Sequence, residues 1–280
     1  MTRAGLRAAA AGLVRACHPA PVVAVTAFSA VLAVVAGDGA GTSTLLALAV
    51  LAGQLSIGWS NDRLDAARDR RVGRADKPLA TGAVSPRVVD AATVVALAAL
   101  VALSCTLGWR AAVLNLATVA SGWAYNLGLK ATWLSAVPYA FSFGALPAVA
   151  TLAAPGHPGP AAWAVAAGAL LGLAAHLTNV LPDLADDRET GVVGLPHRLG
   201  APASLAASAA LVAGASLVVV TGPPGPPSAL RWAGLAVAVA ALLVTVPAWL
   251  RRPGSRLPFG GLIAAVGIDV VLLAAGGHLH

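Results

Sequence analysis

Apolar residues along this chain run in blocks of about 20, the length that carries a helix across a lipid bilayer. Nine such blocks are visible, near 21–37, 42–60, 88–108, 111–128, 132–154, 161–181, 201–221, 229–250 and 259–277. Pro155, Pro158 and Pro160 separate the fifth from the sixth, and Pro223, Pro224, Pro226 and Pro227 the seventh from the eighth. Proline has no backbone N–H and interrupts a helix. The pattern predicts an all-α polytopic membrane protein, a bundle of about nine transmembrane helices around a central cavity, with residues 1–20 as an N-terminal segment and 21–280 as one transmembrane domain.

The cations test this arrangement. With nine spans, the N-terminus and the links 61–87, 129–131, 182–200 and 251–258 share one side of the membrane. Of the 18 lysines and arginines, 16 fall on that side, and only Arg110 and Arg231 on the other. Such a bias marks the cytoplasmic face, so the expected location is the cell membrane, multi-pass, with the basic loops in the cytoplasm.

Composition agrees. The chain is 58% hydrophobic and 10% charged, whereas a soluble domain carries about 25% charged residues. That excludes an ordinary water-soluble domain and a disordered or collagen-like chain. The net charge of +7 then serves topology and contact with anionic lipid. No basic stripe interleaved with stacking aromatics points to nucleic acid. The N-terminal stretch is basic and Ala-rich, and Arg15 breaks its apolar run, which favours an interfacial helix over a signal peptide. Cys17 and Cys105 make no metal or disulfide pattern.

The carboxylates are concentrated. Eight of 11 acids fall in two short stretches: Asp62, Asp65, Asp69 and Asp76, then Asp183, Asp186, Asp187 and Glu189. Both stretches contain N-x-x-x-D-x-x-x-D, as Asn61, Asp65, Asp69 and as Asn179, Asp183, Asp187. A four-residue step on a helix advances about 400°, so each triplet forms a gently drifting stripe. Asn179 follows Asn61 by 118 residues. Four spans lie between, so both stretches open on the same side. Two carboxylate-bearing helix ends facing one cavity suit hard divalent cations such as Mg2+, which takes oxygen ligands and shares them with a substrate phosphate. Bridging metal also reverses the local sign, so that a diphosphate is attracted. The plainer reading is a solvated acidic face paired with Arg68, Arg70, Arg71 and Arg188; ionisable groups at the mouth of a membrane bundle weigh against it.

These residues resemble the UbiA superfamily of intramembrane prenyltransferases. Asn61-Asp62-Arg63-Leu64-Asp65-Ala66-Ala67-Arg68-Asp69 matches its N-D-x-x-D-x-x-x-D motif, and Asp183 with Asp187 its D-x-x-x-D motif. Tyr125 through Lys130 resembles the tyrosine-to-lysine segment after the fourth span. Lys77-Pro78-Leu79 resembles the Arg-Pro-Leu segment, with Lys in place of Arg, and Leu195-Pro196 the tail after the second motif. One departure stands out: Val193 and Gly194 occupy positions where the family often has a basic residue and a Thr.

The resemblance implies Mg2+-dependent transfer of an isoprenyl group from an allylic prenyl diphosphate to a small acceptor, commonly aromatic. Metal ligands would be Asn61, Asp62, Asp65, Asp69, Asp183 and Asp187, with Asp65, Asp69, Asp183 and Asp187 central to catalysis. Arg74, Lys77, Lys130 and Tyr125 are candidates for the diphosphate. Trp59, Trp123, His176 and Asn179 are candidates for the acceptor pocket, with a structural role for His176 equally open. The apolar bundle would house the prenyl chain and exclude water from an allylic cation. Asp269, inside the last block, is protonated, paired across helices, or part of the site. Two alternatives remain open: a terpene cyclase of the same family, in which the cation closes on itself, and a divalent-cation transporter using the acidic mouth as a filter.

Overall fold

The computed structural model describes residues 3–251 together with 260, 261, 264, 265, 267, 268 and 279. It is all-α and polytopic. The helices are α1 (Arg3–Ala16), α2 (Pro19–Val35), α3 (Ala40–Arg71), α4 (Pro78–Thr81), α5 (Pro86–Cys105), α6 (Trp109–Leu127), α7 (Val137–Ala153), α8 (Ala162–Val180), α9 (Leu184–Glu189), α10 (Leu195–Leu199), α11 (Ala201–Thr221) and α12 (Ala229–Arg251). The first eight apolar blocks of the sequence coincide with α2, α3, α5, α6, α7, α8, α11 and α12. The ninth block lies largely outside the described residues, and Asp269 lies wholly outside them. By length and apolar composition alone, five described helices can cross a membrane, or six if the α1–α2 pair, bent by 66°, is one span.

Local chemistry sets the ends. Proline opens α2, α4 and α5, where the missing N–H costs no helical bond. Ser85 caps α5 by accepting the Val88 N–H at 3.4 Å. α3 contains no proline over its 32 residues, so it continues past the membrane-length block and carries the first acidic stretch on unbroken helix.

α3 is the hub. It packs against α2, α5 and α6; α7 packs against α6, α8 and α2; α11 joins α8 to α12. Gly144, Gly168 and Gly172 let α7 and α8 approach at backbone distance, as small residues do between membrane helices. Asn126 on α6 donates to Ile57 O at 2.9 Å and to Ser60 Oγ at 2.8 Å, fixing α6 to α3 just before Asn61.

The two ends of the bundle differ. At one end Ala36, Leu107, Ala154, Val219 and Leu279 close together in a single apolar cluster. Asp38 is buried nearby, with neither carboxylate oxygen hydrogen-bonded among the described residues. Burial pushes its carboxyl up to about 6. The other end gathers the acids.

Candidate active site

The two acidic stretches meet. Arg68 reaches Asp65 Oδ2 at 3.0 Å, Asp69 Oδ1 at 3.7 Å and, from the second stretch, Asp187 Oδ1 at 3.5 Å. Arg74, in the loop after α3, lies 2.9 Å from Asp183 and 3.7 Å from Asp186. Lys130, in the turn after α6, contacts both oxygens of Asp65 at 2.6 and 2.7 Å. Lys77 lies 3.1 Å from Asp62.

The stretches are built differently. Asp62, Asp65 and Asp69 project from continuous α3 and are buried, at 1%, 7% and 2% exposure. The second stripe is not a regular helix. Pro182 follows the end of α8, and residues Leu181–Asp183 tighten into a 3-10 turn before α9 resumes, because a proline inside a helix removes a bond to the preceding turn. Asn179 therefore sits on α8, Asp183 on the tight turn and Asp187 on α9.

Charge does not balance here. Seven carboxylates, of Asp62, Asp65, Asp69, Asp76, Asp183, Asp186 and Asp187, pair with four cations, Arg68, Arg74, Lys77 and Lys130. Oδ2 of Asp69 is buried without a hydrogen-bond partner among the described residues, and Asp62, equally buried, has only Lys77 as a cationic neighbour, 3.1 Å from its Oδ1. An orphaned oxygen carries a large desolvation cost. An all-oxygen donor set with surplus negative charge and an orphaned oxygen fits Mg2+. Among the described residues, no three His, Cys, Asp or Glu side chains already converge on one metal position. The acids are turned toward their basic partners instead. Arg74 also pairs Asp76 through two 2.9 Å bonds; they hold the Asp76 carboxyl down at about 2 and push the guanidinium above its usual range.

An aromatic group adjoins the acids. Tyr125 and Tyr139 meet edge-on at 5.3 Å between ring centres, and the His176 ring lies 5.7 Å from Tyr125 and 5.0 Å from Tyr139. Tyr125 is within electrostatic reach of Asp65, Asp187 and Arg68. Asn179 Nδ2 donates to the Tyr139 hydroxyl at 3.3 Å. His176 is buried, its Nε2 3.0 Å from Ser135 Oγ and its Nδ1 unpaired among the described residues. The structure thus brings His176 and Asn179 together with Tyr125. Trp123 instead donates to Ser56 at 3.3 Å. Trp59 donates to Leu13 O at 2.9 Å and packs with Leu79, Val84 and Val89.

Several participants are not evident as site residues from the sequence. Arg68 enters there only as a counter-ion, although its place inside the first motif is an available signal. His197 accepts the Gly194 N–H at Nδ1, so its Nε2 bears the proton when neutral, 3.3 Å from Asp187. Ser135 accepts the Leu195 N–H at 2.8 Å. The departure at Gly194 has a steric reason: a side chain there would run into the Lys130 carbonyl oxygen and the Ser135 hydroxyl.

Comparison with known proteins agrees with the all-α fold. A UbiA homolog from Aeropyrum pernix K1, solved without ligand, superposes with a TM-score of 0.73 at 22% identity, covering 91% of this chain and 97% of that one. A UbiA homolog from Archaeoglobus fulgidus bound to GPP and Mg2+ gives a TM-score of 0.69 at 18% identity, covering 95% and 98%. A structure described as digeranylgeranylglyceryl phosphate synthase gives 0.67 at 14% identity, covering 95% and 97%. No curated protein matches the sequence. At these identities the superpositions establish the fold; a sequence match over residues 22–257 establishes kinship, and the chain belongs to the UbiA prenyltransferase family.

Proposed function

We propose that this protein transfers an isoprenyl group from an allylic prenyl diphosphate to a small aromatic acceptor, within the membrane and in dependence on Mg2+. The observation that carries the reading is Arg68 joining Asp65 and Asp69 to Asp187 beside the Tyr125–Tyr139–His176 group. The GPP and Mg2+ of the Archaeoglobus relative support the choice of donor and metal.

Asn61, Asp62, Asp65, Asp69, Asp183 and Asp187 would hold Mg2+, which supplies positive charge to the diphosphate oxygens. Arg68, Arg74 and Lys130 then exchange their carboxylate partners for those oxygens, as groups that favour developing negative charge, while Lys77 stays beside Asp62 and binds a diphosphate oxygen with a further N–H. The C–O bond breaks, diphosphate leaves with the electron pair, and an allylic cation remains. The faces of Tyr125 and Tyr139 favour that cation. A ring carbon of the acceptor attacks it to form the C–C bond, and the displaced ring proton passes to a diphosphate oxygen. His176 and Asn179 orient the acceptor, and the apolar bundle excludes water. Residues 1–20 act as an interfacial segment ahead of a single domain, and the acidic end faces the cytoplasm, as the cation bias favours.

The test incubates membranes with labelled prenyl diphosphates, Mg2+ and a panel of aromatic acceptors. Prenylated acceptor is expected from the wild type, and none from Asp65→Ala or Asp183→Ala protein that still inserts. Full activity in both variants rejects the assignment. A hydrocarbon product without acceptor identifies a cyclase, and metal flux into liposomes without turnover identifies a transporter.

A further inference from the structure

We propose that His18 is a positioning residue that presents the Lys77 ammonium group to the diphosphate. This rests on the reading of Lys77 as a phosphate contact. His18 stands at the bend between α1 and α2, with φ 58° and ψ 70°. Among the described non-glycine residues only His18 and His157 take positive φ. The conformation costs energy for a residue with a Cβ, and persists where the surroundings impose it.

Those surroundings are visible. Trp59 Nε1 donates to Leu13 O at 2.9 Å, and Arg15 Nη2 to Asp76 O at 3.4 Å. Gly58 allows the bend to lie directly on α3, because a Cβ there would run into the Cys17 carbonyl. The chain between α1 and α2 is thereby held on α3 one turn before Asp62. His18 Nε2 then lies 3.0 Å from Lys77 Nζ. An ammonium group only donates, so Nε2 accepts and the ring proton is on Nδ1.

Lys77 needs such a partner. It stands where the Arg-Pro-Leu resemblance has arginine. A guanidinium carries its donors in a rigid fork, whereas an ammonium group is a point charge on a flexible stem. His18 on one side and Asp62 at 3.1 Å on the other fix that point. Two of the three N–H donors are directed by these neighbours, and the third serves a diphosphate oxygen.

Three variants test the role: His18→Gly, His18→Gln and Lys77→Met. Glycine removes the contact and relieves the positive φ, so the fold is retained; glutamine restores an acceptor. The readouts are the melting temperature, the Kd for inorganic pyrophosphate with Mg2+ in detergent, and KM against kcat for the prenyl diphosphate. His18→Gly is expected to melt no lower than wild type, while Kd and KM rise about tenfold, the worth of one hydrogen bond to a charged group, and kcat changes less than twofold. His18→Gln recovers most of the loss. In the Lys77→Met background, His18→Gly adds less than a twofold change. A damaging Lys77→Met with a silent His18→Gly, or effects of the two that multiply, overturns the positioning role and leaves the function standing. Wild-type protein that binds no pyrophosphate with Mg2+ overturns both.

Discussion

Arg74 and Asp183 are 109 residues apart in sequence and 2.9 Å apart in space. The loop that follows the first acidic stretch thus holds an acid of the second, beside the Arg68–Asp187 contact that joins the same two stretches.

Removing that ion pair should affect chemistry more than folding. The Asp183 side chain is 40% exposed, and partly exposed ion pairs contribute about 1 kcal/mol or less. Deleting a group that stabilises charge in a transition state raises the barrier by about 2.7–4 kcal/mol. Arg74→Ala is therefore expected to lower kcat about a hundredfold while shifting the melting temperature by only a few degrees. A melting shift with unchanged turnover would make the pair purely architectural.

The surplus of negative charge predicts a response to metal in the absence of substrate. Mg2+ added to metal-free protein should raise its melting temperature, since a ligand that binds the native state stabilises it. Asp69→Asn, which removes a buried acid with an orphaned oxygen, should reduce that rise. Equal rises in both proteins would place the metal elsewhere.

Gly194→Thr, which installs the residue type common in the family, should harm this chain. The new side chain meets the Lys130 carbonyl and Ser135. Overpacking typically costs about 1–3 kcal/mol, and displacing Lys130 releases its hold on Asp65. A lower melting temperature together with at least a tenfold loss of turnover is expected. A fully active, equally stable variant would show that the turn repacks freely.

Asp38 gives a pH-dependent prediction away from the site. Its native carboxyl titrates near 6, above the ordinary 3.8. Below 3.8 both native and unfolded forms are protonated. As pH rises through 6 the stability carried by the neutral native form is lost. Asp38→Asn should therefore raise the melting temperature by more at pH 8 than at pH 5. A gap that stays flat, or narrows toward pH 8, contradicts it.

Much of this architecture is legible in the sequence because its causes are local. Blocks of apolar residues bounded by Pro and Gly mark eight helices that the structure contains, and the unbroken α3 follows from 32 residues without proline. The interruption of the second stripe is written in Pro182, although spacing alone suggests a regular helix. Interactions that depend on assembly are not legible. Nothing near His18 in sequence points to Lys77, 59 residues on, and nothing in Gly194 announces the Lys130 carbonyl. Trp59 and Trp123 are amphipathic rings near the ends of apolar blocks, and which neighbour takes each indole N–H is decided by how α1, α3 and α6 stack.

The apolar cluster of Ala36, Leu107, Ala154, Val219 and Leu279 has a bearing on ion passage. A protein that opens a carboxylate-rich vestibule to one aqueous compartment is half of a conduit for protons or metal ions. Among the described residues the opposite end is packed with hydrocarbon, so an ion leaving the acids in that direction would have to shed its water without gaining a polar surround.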